Sequence, residues 1–279
     1  MSISHDTFTI AKATAYSAIL TLFPAMLVTT TVLAISPRTE GFRGEIREAF
    51  DQVLPADTMS IVQAYFQTQH ALSIRALLAV GVLSVLAAMG VMMSLMEGFR
   101  RAYAVPVHVW GIWKTRAIAL ALIPITMVPL ALATLLIAFG RQIQIWMISR
   151  ADHELQSYVI FAWRMGRWAV ALLTLITVLA IVYHVGTPRT QSWRRVLPGS
   201  LLAAVSWFLV TIIYGGSVTR SAQYTVVYGS LAAGVATLVW LYLTSLSVLI
   251  GAEFNAQMFP KGELMGHGYD GVKTGSSAA

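Results

Sequence analysis

The sequence predicts an all-helical integral membrane protein with six transmembrane helices and an amphipathic helical element between the first two. Two observations carry that prediction. Hydrophobic residues make up 57% of the 279 and charged residues 11%, where a soluble domain carries about a quarter charged; the mean hydropathy is +0.70. The apolar residues also come in long runs. From Ser230 to Ala252 there is no charge at all, and about 23 residues at a rise of about 1.5 Å span roughly 34 Å, more than a bilayer's hydrocarbon core.

Residues 1–12 read as a short polar tail ending in Lys12. The run at about 13–35 is too long for a cleaved signal and reads as a retained first crossing. Pro24 sits inside it, where it leaves the carbonyl of Leu20 without a donor and is expected to kink or open the helix, with Ser17 and Thr21 near enough to compensate. Residues 36–75 turn polar. Phe42, Ile46, Phe50 and Val53 recur at helical spacing with charges on the other faces, which predicts an amphipathic element on the membrane surface or over the bundle.

The second crossing is predicted at about 76–96, with Gly81, Gly90 and Ser94 as close-packing positions. Glu97 and Arg100 at its end are three apart and are expected to pair on the inner side, with Glu253 at the same level. The third, at about 117–140, contains Pro124 and Pro129 and is not expected to be straight. The fourth is placed at about 165–185. A helix starting earlier would carry Arg164 and Arg167 inside the apolar span, facing the same way, either snorkelling to the interface or lining a polar cavity. The fifth lies at about 196–216 with Pro198 in its first turn, where proline is tolerated. The sixth is 230–252, where Ser230 and Gly234 present a small-residue face. Residues 258–279 are rich in Gly and Ser and read as a disordered tail.

Six crossings put both termini on one side. Seven basic residues are concentrated in the two short loops 97–116 and 186–195, which predicts those loops, and with them both termini, in the cytoplasm. The net charge of +7 and the pI near 9.9 follow from such boundary arginines. No basic run tracks a phosphate backbone, so no nucleic-acid partner is expected. Cysteine is absent, which removes disulfide and thiolate chemistry.

The six histidines fall singly on different segments, without HxH or HxxE spacing, and no Walker loop or clustered carboxylates occur. The residues therefore predict no enzyme, no metal and no cofactor. What remains are broken helices and charges at helix ends, which in a membrane are the ordinary marks of a conduit.

Tyr228-Gly229-Ser230-Leu231-Ala232, Trp240-Leu241-Tyr242 and Leu249-Ile250-Gly251-Ala252-Glu253 resemble the closing segment, and Ala15 to Pro24, with Tyr16 and Phe23 at matching offsets, the first helix, of the YihY/BrkB family of bacterial inner-membrane proteins. Trp113-Lys114-x-Arg116, the run Trp193 to Gly199, and the spacing of Tyr214, Tyr224 and Tyr228 add to the match, which covers about residues 13–257. The sequence departs from the family in a shorter stretch before the first helix and a less basic loop after Tyr183. The resemblance implies a role in the cell envelope or in virulence, and translocation of a lipid or lipid precursor. It also brings an old ribonuclease label, for which the sequence supplies no catalytic residues.

The expectation is thus a transporter or translocator of a lipid or anionic amphipathic substrate, with the lipid bilayer as its other partner. The alternative is a non-transporting envelope or scaffold protein. Candidates for the substrate path are Arg141, Arg164, Arg167, Arg220, Tyr224 and Tyr228. Glu97, Arg100 and Glu253 are inner-side polar candidates, and Tyr16, Pro24, Pro124, Pro129, Gly229, Gly234 and Gly251 are candidates for helix breaks or gating. The sequence sets no oligomeric state.

Overall fold

The computed structural model describes residues 5–35, 73–106, 109–148, 156–188, 192–220 and 230–259. These form six helices: α1 (His5–Ile35), α2 (Ile74–Ala102), α3 (Ile112–Ile148), α4 (Gln156–Gly186), α5 (Trp193–Arg220) and α6 (Ser230–Met258). Each contains a stretch long and apolar enough to cross a membrane. The amphipathic element expected between the first two crossings and, from residue 260 on, the expected C-terminal tail lie outside the described residues.

The helices run 28 to 37 residues, about 42 to 56 Å at 1.5 Å per residue, so each outreaches a ~30 Å hydrocarbon core. α2 starts where Ser73 Oγ accepts the Ala76 N–H at 3.3 Å, a serine N-cap. It ends with Arg100 and Arg101 in the last turn, cations that suit the negative end of the helix dipole. The chain then turns through Ala104 at φ 48°. The amides of Ala104 and Val105 bond back to the carbonyls of Arg101 and Arg100, both at 2.9 Å, the double bond of a Schellman turn with alanine where glycine is usual.

The prolines do not end their helices. α1 continues through Pro24 and α3 through Pro124 and Pro129. Thr21 donates its hydroxyl to Ser17 and Thr126 to Leu122 and Ile123, not to the carbonyls that the prolines leave without a donor. Pro198 also departs from expectation: α5 begins at Trp193, so the proline stands in the second turn and costs the carbonyl of Arg194 its helical donor.

Neighbours in sequence pack against each other, most extensively α1 on α2 and α5 on α6, and α1 against α6 closes the ring. α2 also reaches across to α6 and α4. Because successive helices alternate in direction, the end of α2 (Met92 to Phe99), the end of α4 (Val178 to Tyr183) and the end of α6 (Leu249, Ala252) meet the beginnings of α1 (Ile10, Ala11), α3 (Ala119, Leu122) and α5 (Val196, Ala203) in one core. At the other end the helices expose large apolar side chains: Leu78 and Val82 on α2, Leu132 on α3, Phe161 on α4, Ile213 on α5 and Val235 on α6. Lipid tails satisfy such faces as well as protein does.

Candidate functional site

The packed end is joined by polar contacts through the backbone. With Pro198 lacking an N–H, the next amide, Gly199, donates to Asn255 Oδ1 of α6 at 2.7 Å, and Asn255 Nδ2 donates to the carbonyl of Val196 at 3.0 Å. Asn255 is 1% exposed. One amide side chain thus bridges a donor and an acceptor of the next helix, which a buried asparagine needs and a proline-interrupted helix offers. The backbones must come close for this. A Cβ on Gly199 would collide with the Gly251 carbonyl and the Asn255 amide, and one on Gly251 with the Gly199 carbonyl and the Tyr183 hydroxyl. Tyr183, on α4, donates to the Val248 carbonyl at 2.6 Å and meets Phe99 of α2 edge-on at 5.2 Å.

A second polar layer lies at the same end. Glu97 receives Arg100 through two bonds of 2.6 and 2.7 Å and Arg101 at 2.7 Å. Arg101 also reaches Asp6 of α1 at 3.2 Å. Glu253 joins this layer through α1, accepting the hydroxyl of Thr7, rather than through direct contact with Glu97. Arg100 Nη1 donates to the Val105 carbonyl at 2.9 Å, which ties the α2 turn to the pair.

Between these helices is a cavity of about 190 Å³ lined by Met93, Met96, Glu97, Arg100, Pro106, Trp110, Thr115, Gly186 and Pro188. Lys114 stands over the ring of Trp110, one of the lining residues, at 5.4 Å; outside the lining, Arg116 stands over Trp113 at 5.9 Å and Arg195 over Phe259 at 5.5 Å. His184 stacks on Trp193 at 4.3 Å. Among the described residues, no three His, Asp or Glu side chains gather so as to hold a metal ion.

The loose end treats its candidates unequally. Arg164 and Arg167 were expected to face the same way, but Arg164 is exposed, whereas Arg167 is half-buried on the stripe of Trp163, Ala171 and Leu175 that continues into the buried Val178. Arg141 and Arg220 belong to α3 and α5, with side chains outside the described set. Tyr224, Tyr228 and Gly229 lie outside the described residues altogether. Tyr16 is exposed, as is Pro124, while Pro24 and Pro129 are half-buried. The close approach expected at Gly234 and Gly81 is not there, since nothing lies within 4 Å of either missing Cβ; Gly90 faces Ser17 at 3.6 Å. Small residues permit contact only where two helices converge, and these converge at Gly251 and Gly199.

Sequence reasoning missed Asn255, Tyr183 and Ala104. A signal existed for the first: an asparagine following a long apolar run, in a chain where a Pro-Gly pair lies near the start of another helix.

A family model described as virulence factor BrkB matches residues 2–263. A protein with a ribonuclease-like name, YfkH of Bacillus subtilis (strain 168), is 26% identical over 263 residues, covering 90% of this chain and 89% of its own length. UPF0761 membrane proteins of Janthinobacterium sp. (strain Marseille) and Nitrosospira multiformis are each 24% identical, over 89% and 91% of this chain. The chain spans 55% and 58% of those two relatives. No solved structure matches.

Proposed function

The chain belongs to the virulence factor BrkB family of membrane proteins, and on the position of Arg167 we propose that it translocates a lipid or other anionic amphipathic substrate across the bacterial inner membrane. The observation that carries this reading is a guanidinium on the inward stripe of α4, within the apolar span Ile160–Gly186. An arginine is costly among apolar neighbours, and in membrane helices it marks an ion or substrate path by default. From Ile160 it lies about 10 Å into the span at 1.5 Å per residue, about the depth of a headgroup leaving its own leaflet. There it would lower the cost of drawing an anionic group between helices.

In this reading the packed end, with the basic loops 97–116 and 186–195, faces the cytoplasm together with both termini. It is the closed gate, and the loose end is where substrate enters. Arg164 anchors α4 at the interface. The protein is read as a carrier and not an enzyme; the ribonuclease-like name belongs to the Bacillus relative.

The test is transfer of fluorescent phospholipids and anionic solutes in liposomes carrying the purified protein. Arg167→Gln is expected to lower transfer at least about tenfold, and Arg164→Gln to leave most of it. Equal transfer by wild type and Arg167→Gln would overturn the reading. No transfer at all by wild type would favour the envelope-scaffold alternative.

A further inference from the structure

The cavity at the packed end has more donors than the protein uses. Arg100 carries five N–H groups. Two go to Glu97 and one to the Val105 carbonyl, which leaves two on the guanidinium at the cavity wall. The indole N–H of Trp110, also on the wall, makes no hydrogen bond among the described residues, and the ammonium of Lys114 stands 5.4 Å from that ring. The carboxylate present, Glu97, already accepts three N–H donors from two arginines. The surplus is therefore of donors and of positive charge, which calls for an anion with several oxygens. The same face of α2 lines the cavity with Met96 and Met93, about one and two turns before Arg100, adaptable side chains suited to the carbon part of the same ligand.

The site is also fixed in advance. Ala104 holds a left-handed conformation that a non-glycine residue rarely adopts, and the turn it makes presents the Val105 carbonyl to Arg100. A guanidinium already oriented loses little entropy on binding. The cavity stands where α2 ends, α3 begins and α4 ends, which is the level of lipid headgroups.

We infer that this cavity binds the phosphate of a phospholipid headgroup from the leaflet at the packed end. Arg100 and the Trp110 N–H meet the phosphate oxygens, Lys114 closes over them, and the glycerol side lies on Met93 and Met96. The site is separate from Arg167 and does not depend on any movement of substrate along α4.

The experiment titrates the purified full-length protein in detergent with dioctanoyl phosphatidylglycerol, dioctanoylglycerol and inorganic phosphate, read by native mass spectrometry and calorimetry. Phosphatidylglycerol is expected to bind saturably at one site, at least about tenfold more tightly than dioctanoylglycerol. Lys114→Gln and Trp110→Phe should each weaken it about threefold to tenfold. Arg116→Gln, whose cation covers Trp113 outside the cavity, should leave it unchanged. Equal binding of dioctanoylglycerol, or equal losses in Arg116→Gln and Lys114→Gln, would overturn the site. Full displacement of the lipid by inorganic phosphate at similar concentration would overturn the lipid source and assign the cavity to free phosphate.

Discussion

Gly234 and Gly251 stand near opposite ends of one helix, and they have nothing in common but their side chain. Around Gly251 the backbone of α5 and the hydroxyl of Tyr183 occupy the place a Cβ would take; around Gly234 that place is empty. The contrast holds for the whole molecule. At one end α2, α4 and α6 converge on the starts of α1, α3 and α5 and bury a continuous core, while at the other the same helices turn apolar faces outward. Apolar composition alone cannot distinguish the two ends, because Leu and Val suit lipid and protein equally. The difference is made by the few residues that let backbones touch and the few polar groups that bridge them.

The largest expected effect tests that claim on α6 itself. Gly251→Ala should cost at least about 3 kcal/mol, because the new methyl meets a backbone carbonyl that cannot move without opening the Asn255 bridge. Gly234→Ala should cost nothing and gain up to about 1 kcal/mol from helix propensity. Thermal unfolding of the detergent-solubilised variants checks both. Equal costs at the two positions would abolish the distinction between the ends.

Asn255→Leu comes next. It leaves the Gly199 N–H without a partner in an apolar setting, about 1–3 kcal/mol. The Val196 carbonyl keeps a second donor, the Ser200 hydroxyl at 2.8 Å, so it is spared in the single variant. Adding Ser200→Ala removes both side-chain donors and leaves the carbonyl only the helical N–H of residue 200, and the double variant should lose more than the sum of the two singles. Strict additivity would show that Asn255 and Ser200 do not share that carbonyl. Tyr183→Phe, which removes only the bond to Val248, should cost about 1 kcal/mol in the same assay.

The six helices were legible because uncharged runs of membrane length admit few other readings. The Glu97 and Arg100 spacing was legible because partners three apart on a helix are local. The Asn255 bridge was not, since it joins residues on two helices, one of them the glycine that follows Pro198 in the second turn of α5. That position depends on α5 starting at Trp193 and not at Val196. The division of Arg164 from Arg167 was hidden for a geometric reason: residues three apart differ by about 60° around a helix, and the edge of the packed stripe runs between them. The turn at Ala104 carried no glycine to announce it.

The smallest effect is expected in the ionic layer, and it sharpens the comparison within the packed end. Glu97 holds Arg100 and Arg101, and Arg101 holds Asp6, but these side chains are 19 to 60% exposed, so water screens them and little stability follows. Glu97→Gln keeps an acceptor for one arginine and should cost less than about 1 kcal/mol in low salt. Near 1 M salt, where the screening length is about 3 Å, that cost should shrink further. The cost of Asn255→Leu should not change with salt, because its groups are neutral and buried. A Glu97→Gln variant as destabilised as Asn255→Leu, and equally indifferent to salt, would mean that the ion pairs are part of the dry clasp. The Thr7 and Glu253 contact between α1 and α6 would then belong to the closure of the packed end and not to its wet rim.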